Sequence, residues 1–136
     1  MRLIVDSNRI ISALIKEGVS RKILSSKNIE FFTVGYIKEE IGKYKAVIIE
    51  KSAMSAKAID TLFSLVMENI NVVPEEDVKL KMKEALNIMK GIDAKDAPFI
   101  ATALAIPNDG IWSHDRHFEM QKKIKVWLAK DLIKYI

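Results

Sequence analysis

Short apolar runs alternate with longer amphipathic segments along this chain, and this alternation restricts the fold more than any other feature. Residues 3–5 are Leu, Ile and Val with no polar residue between them, which is typical of a parallel strand covered on both faces. The other strand candidates are residues 31–34, 71–73, 110–112 and 125–127. The helix candidates are residues 7–15, 20–26, 35–48, 52–68, 75–89 and 96–106. Because a parallel crossover needs a helix to carry the chain back, the pattern predicts an α/β layer structure with a mostly parallel sheet.

The chain shows no internal division and no membrane segment. It has 136 residues, within the usual size of one domain, and no repeat or linker interrupts it, so we expect a single domain over residues 1–136. The longest apolar stretch, residues 98–107, is far shorter than the roughly 18 residues that a membrane-spanning helix needs. The start of the chain lacks signal-peptide form, because a short apolar run leads directly into Asp6. We therefore expect a cytoplasmic protein without membrane contact.

The composition excludes several classes of site. Cysteine is absent, which rules out disulfides, thiolate metal sites and a cysteine nucleophile. The five glycines do not form a phosphate-binding loop of the GxxxxGK type. The formal charge of +4 is compatible with a polyanionic partner such as nucleic acid, and equally with a solvated lysine-rich surface.

Three aspartates are predicted to meet at one edge of the sheet. Asp6 directly follows the first strand candidate, and Asp115 comes shortly after the strand candidate at residues 110–112. Asp96 opens an apolar helix whose start is indicated by Pro98, because proline is tolerated in a helix only within the first turn. Ligands of open parallel sheets bind beyond the carboxyl ends of the strands. Each aspartate has a structural alternative, since all three also occupy positions where a carboxylate caps a helix.

A fourth carboxylate, that of Glu40, is predicted to point inward from a helix. On a wheel of about 100° per residue, the apolar side of the helix at residues 35–48 consists of Ile37, Ile41, Tyr44 and Ile48, flanked by Val47. Glu40 falls between Tyr44 and Val47, whereas Glu39 points to the opposite side. A charge within an apolar stripe needs a partner. The alternatives are a carboxylate that reaches solvent or one that is hydrogen-bonded in the core.

Four carboxylates at one place repel each other unless a cation lies between them. Carboxylates and water are the ligands that Mg²⁺ and Mn²⁺ prefer. Metal ions held in this way polarise a phosphoryl oxygen and lower the pKa of a bound water. The matching chemistry is hydrolysis of a phosphodiester bond.

Four segments of the chain resemble those of PIN domains, including the VapC toxins of toxin–antitoxin pairs. They are DSNRIISAL, YIKEEIGKY, KDAPFIATAL and IWSHDRHF, and the similarity extends over essentially the whole chain. The resemblance implies a three-layer α/β/α fold with a central, mostly parallel sheet, and an endoribonuclease that depends on Mg²⁺ or Mn²⁺. The catalytic and metal-binding residues that it implies are Asp6, Glu40, Asp96 and Asp115. It also implies a supporting role for Asn8 and an auxiliary one for Asp93.

The resemblance further implies RNA as the substrate, an antitoxin protein as a partner and a homodimer as the assembly. The apolar residues that can form either core or dimer surface are Met54, Ile59, Leu62, Phe63 and Val66, and core is the simpler assignment. The lysines expected to follow an RNA backbone are Lys38, Lys43, Lys45 and Lys51, although an ordinary solvated face explains them equally well. His114 and His117 flank Asp115, and the simplest interpretation of both is a surface histidine without a role.

Other α/β proteins with an aspartate after the first strand agree less well with this sequence. A phosphoacceptor receiver domain would have a paired acid there, and a dehalogenase-type phosphatase would have a second aspartate two residues on, where this chain has Asn8. The serious alternative is a PIN-like module that binds RNA or a protein without cutting. Metal-dependent cleavage distinguishes the two interpretations.

Overall fold

A single sheet of five parallel strands forms the centre of the protein in a computed structural model, which describes residues 1–136. The strands are β1 (Arg2–Val5), β2 (Glu30–Val34), β3 (Ile70–Val73), β4 (Ile111–Trp112) and β5 (Val126–Trp127). Their order across the sheet is β3-β2-β1-β4-β5. All five strand candidates are confirmed, and β1 lies at the centre of the sheet.

Eight α-helices connect or follow the strands. They are α1 (Ser7–Ile15), α2 (Val19–Leu24), α3 (Ile37–Ser52), α4 (Ala56–Met67), α5 (Glu75–Ile88), α6 (Ala97–Ala105), α7 (Arg116–Glu119) and α8 (Ala129–Leu132). Two 3-10 turns, Ala94–Asp96 and Ile133–Tyr135, complete the chain. The six predicted helices are present. The four-residue helices α7 and α8 and the two turns were not predicted, because such short elements carry no readable periodicity.

Two apolar clusters lie on opposite faces of the sheet and establish three layers. Successive residues of a strand point to opposite faces, and in β1 the side chains of Leu3 and Val5 belong to one cluster while Ile4 belongs to the other. The first cluster packs against α1, α2, α3 and α4, and the second against α5 and α6. The α/β/α layering and the parallel sheet agree with the prediction.

Gly110 allows β4 to lie between β1 and β5. Its φ angle is +135°, and a Cβ atom there would come within 2.4 Å of the Lys125 carbonyl oxygen. The Gly110 carbonyl accepts the N–H of Ile4, and the next N–H, of Ile111, donates to Lys125. A larger residue at position 110 would therefore separate the strands whose carboxyl ends carry the candidate site.

The buried side of α3 differs from the predicted stripe. Ile37, Ile41 and Ile48 are buried as expected, but Tyr44 is 38% exposed and Val47 is 44% exposed. The helix packs against α1 and α4 through an arc that continues from Ile37 toward Ile49, away from Tyr44. Glu40 lies roughly 60° outside that arc on an ideal helix and is half-buried. The expectation that apolar side chains enclose Glu40 is wrong, and its position is the margin of the buried face.

The five apolar residues of α4 and the segment before it that could form either core or dimer surface belong to the core. Ile59 and Val66 are buried, and Met54, Leu62 and Phe63 pack against the first cluster while partly exposed. This confirms the core assignment. None of the helices combines the length and the apolar character that crossing a membrane requires.

Candidate functional site

Asp6 lies at the carboxyl edge of the sheet, between the ends of β1 and β4. Val5 pairs with Trp112, and the N–H of Asp6 donates to the Trp112 carbonyl over 3.2 Å. The Asp6 residue is only 3% exposed. Burial raises the pKa of its carboxyl, an effect that a hydrogen bond from Ser113 partly opposes. A buried carboxylate with a raised pKa is placed at a free-energy cost that a nearby cation would remove.

Ser113 connects two of the predicted acids. Its hydroxyl donates a 2.7 Å hydrogen bond to Oδ2 of Asp6. The Ser113 hydroxyl oxygen also accepts a 3.0 Å hydrogen bond from the Asp115 N–H. The side chain is fully buried. Ser113 was not among the predicted site residues. The signal that could have found it is its position directly after β4, equivalent to that of Asp6 after β1.

Helix capping explains Asp115 better than it explains Asp6 or Asp96. Oδ1 of Asp115 accepts the His117 N–H over 2.9 Å and thereby caps α7. Asp6 precedes α1 and Asp96 precedes α6, but neither makes a capping hydrogen bond with its side chain. Capping therefore does not account for the carboxylate of Asp96. At Asp6 the helix contributes the backbone N–H of Asn8, whose effect on the carboxyl pKa is smaller than that of burial.

Asp96 reaches the same edge from the 3-10 turn that precedes α6. Pro98 lies in the first turn of this helix, as predicted, and α6 packs against β1 and β2. Burial raises the pKa of Asp96 to about 6, with further contributions from the negative charges of Asp115, Asp93 and Asp6. Four aspartates are thus close enough to act on one another. The structure brings Asp6, Asp96 and Asp115 together, and it adds Asp93.

His117 lies among three of these aspartates. Its Nδ1 is 3.3 Å from Oδ2 of Asp93, 3.3 Å from Oδ2 of Asp96 and 3.3 Å from Oδ1 of Asp115. The ligand atoms of Asp93, Asp96 and His117 all lie within 4.8 Å of one another. His117 is therefore more than a surface histidine. The side chain of His117 is 43% exposed and that of Asp96 is 15% exposed, so the site opens to solvent at the histidine.

His114, the other histidine, has a different environment. Its Nε2 accepts the N–H of Ala129 over 3.1 Å, at the start of α8. Burial lowers the pKa of His114, and the positive charge of Arg9 lowers it further. This histidine contacts the backbone rather than the carboxylates.

Glu40 is related to the aspartates through Tyr36, which precedes α3. Burial raises the pKa of the Tyr36 hydroxyl, and the charges of Glu40, Asp6 and Asp96 raise it further. All three carboxylates therefore lie close enough to the Tyr36 hydroxyl to raise its pKa. Glu40 is not a member of the tight group around His117. Tyr36 was not predicted as a site residue, although its place between β2 and α3 puts it at the same sheet edge.

Two residues of α1 border the site. Burial lowers the pKa of the Arg9 guanidinium, whose positive charge in turn lowers the pKa of Asp6. The Arg9 Nε is buried without a hydrogen-bond partner. Asn8 is exposed and lines a shallow groove of about 310 Å³ together with Arg9 and Asp115. The backbone N–H of Asn8 lowers the pKa of Asp6, but the Asn8 side chain has no hydrogen-bond partner among the site residues, so its supporting role stays a prediction.

The donor set fits a divalent cation. Carboxylate oxygens are the ligands preferred by Mg²⁺ and Mn²⁺, and the aspartates around Asp96 are held close despite their mutual repulsion. Asp6, Asp96, Asp93 and Asp115 are the aspartates that could hold such an ion. An ion bound there would offset the charges that raise the pKa of Asp96.

Comparison with known families agrees with this arrangement. The model of the PIN domain family matches residues 4–132, which include the second half of β1, the other four strands and every acid described above. Comparison with curated proteins gives no match. PIN domains are generally metal-dependent nucleases. With its parallel sheet, its acids at the carboxyl edge and a family match over nearly its whole length, the chain belongs to the PIN domain family.

Proposed function

We propose that this protein is an endoribonuclease that hydrolyses RNA phosphodiester bonds with Mg²⁺ or Mn²⁺ bound by Asp6, Glu40, Asp96 and Asp115. The observation that carries the proposal is the convergence of three aspartates at the carboxyl edge of the sheet. Ser113 bonds to both Asp6 and Asp115, and Nδ1 of His117 lies 3.3 Å from oxygens of both Asp96 and Asp115. Burial, and to a smaller extent the charges of neighbouring aspartates, raise the pKa of Asp96, so its charged form is costly without a cation. A divalent ion bound between these carboxylates would offset that cost, and a metal-dependent nuclease needs such an ion.

The residues of the chain have distinct roles in this proposal. A bound divalent ion would polarise a phosphoryl oxygen and lower the pKa of a water molecule. Asp6 and Asp96 hold the ion from the buried side, and Ser113 keeps Asp6 and Asp115 in register through its two hydrogen bonds. Glu40 forms no ion pair and is half-buried, so its carboxylate is free to bind a ligand or a water molecule. Asn8 and Asp93 support these groups from the rim.

Lysines of α3 are proposed to bind the RNA backbone. Lys38, Lys43 and Lys51 are exposed on α3. Lys45 forms an ion pair with Asp60 of α4, which makes it the least available of the four expected lysines. Phosphate contacts by lysine side chains release counterions, so the affinity should fall steeply with salt.

The protein is further proposed to be the toxin of a toxin–antitoxin pair and to act as a homodimer. PIN nucleases bind RNA and often pair with antitoxins, which supports this assignment. Expression of the wild type alone should arrest growth of a host cell, whereas Asp96→Asn should not. Co-expression of the gene that neighbours this one should restore growth if it encodes the antitoxin. Sedimentation of the purified protein tests the dimer.

Cleavage of mixed RNAs by purified protein tests the nuclease proposal. The wild type should cut RNA with Mn²⁺ or Mg²⁺ and lose this activity with EDTA, and Asp96→Asn should be at least about 100-fold slower. The matched control is Asp77→Asn, which removes an exposed aspartate of α5 outside the acid group. Equal rates for the wild type and Asp96→Asn would contradict the proposal. RNA that is bound but left intact by the wild type would instead indicate a binding module without catalysis.

A further inference from the structure

The imidazole of His117 lies equally far from three carboxylates. Its Nδ1 is 3.3 Å from oxygens of Asp93, Asp96 and Asp115. A charge-assisted hydrogen bond between such groups is usually about 2.7–2.9 Å long. The nitrogen is therefore not committed to any one partner. Its position between several carboxylates is one that suits a shared cation.

The Asp93 and Asp96 oxygens that face His117 accept no hydrogen bond from any other protein group. Asp93 uses Oδ1 to accept the Lys95 N–H and leaves Oδ2 toward the histidine. Oδ2 of Asp96 has His117 as its hydrogen-bonding neighbour. Asp115, by contrast, uses the oxygen nearest to Nδ1 to cap α7. Asp93 and Asp96 are thus the two acids with an oxygen available beside the imidazole nitrogen.

The segments that carry these three groups are held by local structure. Asp93 caps the Ala94–Asp96 turn, Asp96 ends that turn directly before α6, and His117 lies in α7. Their ligand atoms lie within 4.8 Å of one another, close enough for one ion to reach all three after small side-chain movements. The half-exposed position of His117 gives an ion access from solvent.

We propose that His117 supplies a nitrogen ligand to a divalent ion held with Asp93 and Asp96, and that this ligand makes the protein select Mn²⁺ over Mg²⁺. Mg²⁺ demands oxygen ligands in near-octahedral geometry. Mn²⁺ shares the preference for carboxylates but, as a first-row transition ion, accepts an imidazole nitrogen more readily than Mg²⁺ does. The proposal deepens the proposed function, on which it rests, by naming the ion and a ligand. Asp93 becomes a ligand in it rather than a supporting group.

Pulsed electron paramagnetic resonance of the Mn²⁺-loaded protein tests the nitrogen ligand directly. The chain contains only two histidines, so an imidazole coupling has two potential sources. We expect a ¹⁴N coupling in the wild type that changes to a ¹⁵N coupling when histidine is isotopically labelled. The coupling should remain in His114→Gln and disappear in His117→Asn. A wild-type spectrum without a nitrogen coupling overturns the proposal, even if the variants fail to fold.

Titration calorimetry tests the selectivity. The ratio of Mn²⁺ affinity to Mg²⁺ affinity should fall by about tenfold or more in His117→Asn, mainly through weaker Mn²⁺ binding. It should be unchanged in His114→Gln. An unchanged ratio in a folded His117→Asn protein overturns the proposal and would leave His117 as a counter-charge for the aspartates.

These outcomes separate the inference from the proposed nuclease activity. A protein that binds Mn²⁺ and cuts RNA but shows no nitrogen coupling retains the nuclease function without a histidine ligand. A protein that binds neither ion contradicts the nuclease proposal, and the inference fails with it.

Discussion

The hydroxyl of Ser113 donates a 2.7 Å hydrogen bond to Oδ2 of Asp6, a residue 107 positions earlier in the chain. The bond joins the ends of β1 and β4 at the sheet edge where the acids meet. It stabilises the charged form of a carboxyl whose pKa is raised mainly by burial. The same hydrogen bond therefore both connects the ends of the two strands and favours the ionised form of Asp6.

Replacing Ser113 by Ala should destabilise the protein and weaken metal binding. The change leaves an oxygen of buried Asp6 without its donor, which costs about 1.5–3 kcal/mol for a hydrogen bond to a charged group. The measurement is urea unfolding at pH 7.5 without metal. Ser25→Ala is the control, because the Ser25 hydroxyl is exposed and bonds only to Arg21 one turn earlier. A loss no larger than that of the control would contradict the assigned role.

Replacing Asp96 by Asn should stabilise the metal-free protein at neutral pH. Because folding raises the pKa of Asp96 to about 6, the folded chain binds the proton more tightly than the unfolded chain. The stabilisation from this group is complete below about pH 4 and is lost as the pH rises through about 6. At pH 7.5 the variant should gain roughly 1–3 kcal/mol over the wild type, and at pH 4 that gain should disappear.

Thermal unfolding with and without Mn²⁺ completes this test. The wild type should be stabilised by Mn²⁺ at pH 7.5, because a ligand that binds only the folded state raises its stability. Asp96→Asn should respond far less, so that Mn²⁺ reverses the order of stability of the two proteins. A variant that is less stable than the wild type without metal at pH 7.5 would show that burial and neighbouring charges do not make ionised Asp96 unfavourable in the folded protein.

The Tyr36 hydroxyl should remain neutral far into the alkaline range. Burial and the charges of Glu40, Asp6 and Asp96 all raise its pKa. The chain has three tyrosines. We expect Tyr36→Phe and the wild type to show the same increase in tyrosinate absorbance up to about pH 11, roughly one unit above the usual tyrosine pKa. In concentrated urea the wild type should exceed the variant by the signal of one tyrosine. A smaller increase in the folded variant would place Tyr36 away from these charges.

The double change Lys38→Ala and Lys43→Ala should weaken RNA binding and its salt dependence. If each lysine contacts one phosphate of a single strand, the slope of log affinity against log salt should become less steep by about 1.4. Fluorescence anisotropy in the Asp96→Asn background, which is expected to cut RNA far more slowly, measures binding with little cleavage. Lys22→Ala with Lys57→Ala removes the same charge from exposed positions on α2 and α4. Equal slopes for the two double variants would exclude α3 as the RNA-binding face.

The alternation of apolar runs and amphipathic segments in the sequence was sufficient to predict the three layers of the fold. Short, mostly apolar runs are typical of strands covered on both faces, and all five such runs form parallel strands. Asp6 and Asp115 were predictable as neighbours for the same reason. They follow strands that proved adjacent, and parallel strands end at the same edge.

The arrangement of the other groups depended on contacts between distant segments. The burial of Glu40 depends on which side of α3 packs against α1 and α4. A helical wheel shows which residues share a side but not which neighbouring helices cover it. His117 meets Asp93 and Asp96 only because the Ala94–Asp96 turn and α7 come together. The sequence by itself therefore determined the sheet, the layers and the acids at the strand ends. Tertiary packing decided that Ser113, Tyr36 and His117 join them, because hydrogen bonds and charge interactions between distant residues arise only once the layers have packed.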